Sequence, residues 1–182
     1  MFETIGFLEL NSIARGIEAA DIVLKTAEVE LLFARAGCPG KYEILFTGEV
    51  AAVQASIEAG AAVGGEHTVD CCVIPRVHPQ VIRAIHLANI PEQMNALGIM
   101  EFYSVTASVY GADAAVKAAE VDLIDVRLGT GIGGKSFVIL TGEVAAVREA
   151  VSCGISTENA QGMLVSSVVI ANPRREIFDS LL

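Results

Sequence analysis

The chain has 182 residues, 53% of them hydrophobic and 19% charged, with a mean hydropathy of +0.55. Twenty-two acidic residues against 12 basic ones leave a net charge of −10, which excludes a nucleic-acid backbone as partner because no basic stripe can displace its counterions. A membrane span is excluded too: charges at Glu9, Arg15, Glu18 and Asp21 break the stretch from Phe7 to Leu24, Gln54 and Glu58 break that from Val50 to Val63, and a spanning helix needs about 20 apolar residues in a row.

Met1-Phe2-Glu3 lacks the basic start of a signal peptide, so the apolar surplus is expected inside a fold or between subunits. In chain order, Ile5 to Leu10 predicts a strand. Asn11 or Ser12 then caps a helix running to Thr26, with Ile13, Ile17, Ala20 and Leu24 at helical spacing. Val29 to Ala34 predicts a second strand, Gly37-Cys38-Pro39-Gly40 a tight connection, and Lys41 to Thr47 a third strand. Glu49 to Ala59 predicts a helix with Val50, Val53 and Ile57 on one face, Val69 to Ile74 a fourth strand, and Pro79 to Leu87 a short helix with proline in its first turn.

The series then begins again. Ile5-Gly6-Phe7-Leu8-Glu9-Leu10 returns 92 residues later as Leu97-Gly98-Ile99-Met100-Glu101-Phe102, and Lys25 to Leu31 returns as Lys117 to Leu123. Thr47 to Val53 returns unchanged as Thr141 to Val147, now 94 residues on, so two residues are inserted in the glycine-rich segment between Arg127 and Lys135. A period this long indicates two globular domains rather than a solenoid. The boundary is placed near Pro91 to Asn95, giving domains 1–91 and 92–182. Each reads βαββαβ plus a terminal helix, an α/β arrangement of the split-βαβ, ferredoxin-like kind.

Gly129-Thr130-Gly131-Ile132-Gly133-Gly134-Lys135-Ser136 fits the phosphate-binding pattern GxxxxGK[ST]. That loop works only where a helix follows, so that helix-terminal amides meet the phosphates. The following Ser136-Phe137-Val138-Ile139-Leu140 has strand character, so a glycine-rich turn between strands is the reading adopted. The four cysteines, Cys38, Cys71, Cys72 and Cys153, include no CxxC pair. Cys71 and Cys72 fall on opposite faces of a strand, and together with Cys153 read as small apolar fillers. Cys38, between glycines, is either an incidental loop residue or a metal ligand that needs symmetry-related copies, since one thiolate cannot hold a cluster. His67, His78 and His86 are dispersed, and Glu9 and Glu101 sit at matched positions that suggest a repeated structural role.

Four segments, Ile5 to Leu10, Ala19 to Lys25, Thr47 to Val53 and Val73-Ile74-Pro75-Arg76-Val77-His78, resemble the bacterial microcompartment (BMC) shell domain, with the blocks occurring twice in order. The resemblance implies a tandem-domain shell protein, not an enzyme, whose homotrimer imitates a hexamer and sits in a microcompartment shell in the cytoplasm. It places Lys25, Lys117, Arg76 and His78 at the tile edge against other shell proteins. The second copy departs there, because Ile170-Ala171-Asn172-Pro173-Arg174 keeps only part of the pattern. Gly37, Cys38, Pro39 and Gly40, with Gly131, Ile132, Gly133 and Gly134, match the pore loops facing the symmetry axis. Cys38-Pro39-Gly40-Lys41 and Gly131-Ile132-Gly133-Gly134-Lys135 are also similar to the loops of the propanediol-utilisation type of tandem shell protein. That similarity implies a [4Fe–4S] cluster held by one Cys38 from each of three subunits, an electron path across the shell and a lumenal redox enzyme as a candidate partner. The alternatives kept open are a metal-free pore for a small polar metabolite, an ATPase using Gly129 to Ser136, and a regulatory ligand-binding domain on the same scaffold.

Overall fold

A computed structural model describes residues 3–86, 89, 91, 94–129 and 131–181. Leu87 at the end of the expected short helix, Glu92 at the expected domain boundary and Thr130 in the glycine loop lie outside the described residues. The chain divides into two compact units: Met1–Val77 with Thr130–Gly133, and His78–Gly129 with Gly134–Leu182.

The first unit runs β1 (Glu3–Leu10), α1 (Ile13–Thr26), β2 (Val29–Gly37), β3 (Lys41–Gly48), α2 (Val50–Gly64) and β4 (Thr68–Val77). Its sheet has the order β2-β3-β1-β4, antiparallel throughout, as a split-βαβ unit requires. The second unit opens with the short helix α3 (Pro79–Ile85), which packs on that unit's own β6. It continues β5 (Ala96–Phe102), α4 (Val105–Ala118), β6 (Val121–Leu128), β7 (Ser136–Gly142), α5 (Val144–Ile155), β8 (Leu164–Ile170) and α6 (Arg175–Asp179). Its sheet repeats the topology as β6-β7-β5-β8.

The repeat extends to details that composition alone hides. The edge strand skips one residue of register between Leu31 and Phe33 in β2, and again between Leu123 and Asp125 in β6. Both long first helices are capped by serine: Arg15 N donates to Ser12 Oγ at 3.4 Å, and Ala107 N to Ser104 Oγ at 3.3 Å.

One side of each sheet faces the helices. In the first unit Leu8, Leu10, Ile44 and Phe46 meet Ala19, Val23, Val53 and Ile57. Full burial of each large apolar side chain in that layer contributes about 1.5–3 kcal/mol. Small residues let the layers approach. A Cβ on Gly16 would lie 2.4 Å from Tyr42, and one on Gly60 2.7 Å from Val23. Ser56 Oγ ties the two helices together by donating to Val23 O at 3.0 Å.

Here the structure departs from the helical periodicity of α1. The residues turned inward are Gly16, Ala19, Ala20 and Val23, whereas Ile13, Ile17 and Leu24 are exposed. The stripe of small residues wins the sheet because only it permits contact as close as that between Gly16 and Tyr42. Three elements also outrun their expected ends: β2 reaches Gly37, α2 reaches Gly64, and β4 spans Thr68–Val77. Backbone pairing to β3 and β1 carries the two strands past their apolar runs.

Candidate functional site

The loop of the first unit is a turn closed by Gly37 opposite Lys41 on the ends of β2 and β3. Cys38 is a free, half-buried thiol there, flanked on its far side by the exposed Pro39 and Gly40. The Cys38–Pro39 peptide is cis, and Gly40 has φ of +75° with nothing within 4 Å of where a Cβ would stand. Glycine adopts that backbone without strain, and the space beside Gly40 is open.

A charged layer lies behind this loop. Arg35, Glu43, Glu9 and Asp70 form one row across all four strands, each opposite the next in register. Lys41 Nζ reaches back to Glu9 Oε1 at 2.9 Å and anchors the loop's last residue to β1. Arg35 Nε stands 3.5 Å from Glu43 Oε2, with its guanidinium 4.2 Å above the Phe33 ring. Glu43 is fully buried, and among the described residues its Oε1 has no hydrogen-bond partner. It lies directly under Gly37, where an added Cβ would come within 2.6 Å of Oε1. Burial pushes the Glu43 carboxyl up from its ordinary value; Glu9 adds to the rise, while Arg35 and Lys41 oppose it.

The matching loop joins β6 to β7, with Gly129 N donating to Lys135 O at 3.1 Å across its base. Gly129, Gly131, Gly133 and Gly134 all have positive φ, which explains the run of glycines. Because Ser136 begins a strand, this loop does not lead into a helix as a phosphate loop does. Lys135 Nζ reaches Glu101 Oε1 at 2.5 Å, repeating the Lys41–Glu9 anchor. Ser136 Oγ donates to Ser104 O at 2.7 Å and holds the base of the loop to the cap of α4.

The repeat then shows an exchange that sequence reasoning missed. Phe33 and Glu43 of the first unit match Asp125 and Phe137 of the second, so carboxylate and aromatic ring have traded strands. The arginine between them is kept. Arg127 Nη2 binds Asp125 Oδ2 at 2.9 Å, and its guanidinium lies 5.9 Å from the Phe137 ring. Laying the copies side by side at offsets of 92 and 94 residues gives the signal that could have found it.

The four residues assigned to the tile edge are not equivalent. Lys25 pairs with Asp21 at 2.5 Å, and both are exposed. Lys117 pairs with Asp113 at 2.5 Å, but Asp113 is buried and its Oδ1 also accepts from His78 N at 2.8 Å. Asp113 thus brings His78 and Lys117 together within the second unit. The His78 ring caps α3 by accepting from Gln80 N at 3.3 Å. Burial lowers its pKa, Asp113 opposes that, and Arg83 and Lys117 reinforce it. Arg76, in the first unit, is a non-glycine residue with φ of +53° and lines one surface depression together with Thr4, Glu28, Glu30, Glu49 and Val50.

Among the described residues no three His, Cys, Asp or Glu side chains within the chain converge as a metal site. A thiol at an open loop tip fits an iron cluster only as one ligand of several supplied by copies.

The BMC domain model matches residues 4–77 and 96–173. The chain is 40% identical over 182 residues to bacterial microcompartment shell protein PduT of Citrobacter freundii, covering all of this chain and 99% of that one. A solved microcompartments protein from Desulfitobacterium hafniense DCB superposes with a TM-score of 0.92 at 48% identity, covering 98% of this chain and 99% of the other. The fused permuted hexameric shell protein from the RMM microcompartment shares the fold, with a TM-score of 0.61 and 24% identity over 84% of this chain and 79% of its own.

Proposed function

Since the chain belongs to the BMC domain family and is a structural shell protein of a bacterial microcompartment, we propose that three copies close into a pseudohexagonal tile in which one Cys38 from each copy holds a [4Fe–4S] cluster. The observation that carries this reading is the half-buried, free Cys38 thiol in a tight loop whose Gly40 has open space beside it. One cysteine per chain leaves one iron of the cluster without a protein thiolate. Such a cluster supplies one-electron transfer, and its potential follows exposure and hydrogen bonding at sulfur.

The chain's own residues hold the loop. Lys41 bonded to Glu9 fixes its C-terminal end, and the Gly37–Lys41 pair closes its base. Lys25, Lys117, Arg76 and His78 face other shell proteins at the tile edge in this reading, and a lumenal redox enzyme is the partner that exchanges electrons through the tile. Anaerobic reconstitution with iron and sulfide tests it. The wild type gains cluster absorbance and an electron paramagnetic resonance signal on reduction; a Cys38→Ser variant that gains the same signals overturns it.

The second reading is a tile whose pore passes a small polar metabolite without metal. Four positive-φ glycines in Gly129–Gly134 favour it, since bare backbone amides can cradle an anion. In that case Cys38→Ser leaves passage of the metabolite unchanged.

A further inference from the structure

Glu9 and Glu43 stand directly opposite one another on β1 and β3, and both are buried, at 4% and 0% exposure. Arg35 on β2 continues the row beyond Glu43, and Asp70 on β4 continues it beyond Glu9. Lys41, the residue that ends the Cys38 loop, adds a second cation. Three carboxylates therefore share two cations. Lys41 Nζ is taken by Glu9 at 2.9 Å, and Arg35 Nε reaches Glu43 only on Oε2, at 3.5 Å. Glu43 Oε1 is left without a partner among the described residues and lies under Gly37, the residue before Cys38. All of these residues belong to the first unit. A carboxylate oxygen buried with no donor is costly while it is ionised, and a proton removes that cost. A metal ion fits the cluster less well. Among the described residues no three His, Cys, Asp or Glu side chains converge on a common point. A proton needs one oxygen and no added volume.

The second unit supplies the contrast. Its buried acid, Asp125, receives Arg127 Nε at 3.2 Å and Nη2 at 2.9 Å, both on Oδ2. Glu101, the match of Glu9, faces the Phe137 ring across the strands rather than a second acid. The opposed pair of acids is thus confined to the copy whose loop carries Cys38, since Leu128 to Lys135 contains no cysteine.

We propose that Glu43 Oε1 is a proton site built under the Cys38 loop, and that it takes up a proton when an electron enters the cluster held by that loop; the second half rests on the cluster reading above. The balance is simple. One electron comes from the redox partner, or from dithionite in the assay, and one proton comes from water. The proton converts the Glu43 carboxylate to the acid, so the total charge under the loop is unchanged. Burial and the opposed Glu9 favour the protonated form, while Arg35 and Lys41 oppose it. Added negative charge at the loop strengthens proton binding at a buried oxygen, where screening by water is weak.

Infrared spectroscopy of the cluster-free full chain tests the proton site. As pH falls from 8 to 5, the carbonyl stretch of a neutral carboxylic acid grows in. The band is absent from Glu43→Gln and kept in Asp125→Asn. Arg35→Met moves its onset to higher pH, because the opposing cation is gone. A wild type without the band, or a band unchanged in Glu43→Gln, overturns the site. Dithionite titration of the reconstituted protein, followed by electron paramagnetic resonance over the same pH range, tests the coupling. The wild-type midpoint rises as pH falls, by at most about 59 mV for each tenfold change in proton activity. The Glu43→Gln midpoint stays flat. Equal slopes in the two proteins overturn the coupling. A wild type that gains no cluster overturns the cluster reading and the coupling with it, while the infrared band still decides the proton site.

Discussion

Arg35 and Arg127 make the same ion pair in the two units, but to carboxylates that arrive from opposite strands: Glu43 on β3 for the first, Asp125 on its own β6 for the second. Each arginine keeps an aromatic ring on the strand that lacks the acid, Phe33 for Arg35 and Phe137 for Arg127. Each acid is buried with one oxygen left without a partner among the described residues. The layer under each loop is therefore specified as a triad of cation, acid and ring, with two equivalent arrangements.

Converting one arrangement into the other tests that. Glu43→Phe alone places two rings beside Arg35 and removes its acid; Phe33→Asp alone adds a second buried acid. The double variant Phe33→Asp/Glu43→Phe reproduces the second unit and is expected to recover about 1–3 kcal/mol relative to the sum of the singles. Urea denaturation of the four proteins measures this coupling. Strict additivity contradicts the triad.

The two loop anchors differ in strength because they differ in burial. Lys41 and Glu9 side chains are 22% and 5% exposed, against 42% and 32% for Lys135 and Glu101. Lys41→Met strands a buried carboxylate and is expected to cost about 1–3 kcal/mol. Lys135→Met loses a solvated pair and is expected to cost under about 1 kcal/mol. Adding Glu9→Gln to Lys41→Met should recover most of the loss. Thermal unfolding of the set ranks them, and equal costs at the two lysines would count against the burial argument.

Glu43 makes stability depend on pH in a defined direction. Burial raises its carboxyl pKa above the ordinary 4.5. A group whose pKa is higher folded than unfolded binds its proton more tightly in the folded state, so its contribution is complete below the unfolded value and lost as pH rises through the folded one. The wild type should therefore gain on Glu43→Gln as pH falls from 8 toward 5. Paired melting curves across that range give the difference; one that is flat or grows in favour of Gln contradicts the assignment.

Gly16 sets the distance between α1 and the sheet. Helix propensity alone would make Gly16→Ala stabilising by up to about 1 kcal/mol. The added Cβ would lie 2.4 Å from the Tyr42 Cβ, on the stem of that side chain rather than its flexible end. Overpacking of this kind costs about 1–3 kcal/mol, so a net loss is expected on chemical denaturation. A stabilised Gly16→Ala would show that the helix can lift without penalty.

The duplication, the strand and helix order and the strand that follows the glycine loop were all legible in the sequence, because each leaves a pattern in neighbouring residues. The inward face of α1 was not. Of the expected stripe Ile13, Ile17, Ala20 and Leu24 only Ala20 is buried, and nothing local says that Gly16, Ala19 and Val23 join it against the sheet in place of the other three. That choice depends on Tyr42, a residue two elements away. The skipped register at Leu31–Phe33 and the Arg35–Glu43 pair are likewise cross-strand facts. Cys38 was visible as a loop thiol, but the Lys41–Glu9 anchor that holds its loop joins residues 32 apart.

Native mass spectrometry of the anaerobically reconstituted protein tests the central claim most directly. The account predicts a three-chain species carrying a single [4Fe–4S] mass, and a three-chain species without that mass for Cys38→Ser. A cluster retained by Cys38→Ser, or one cluster bound to each chain, would contradict it.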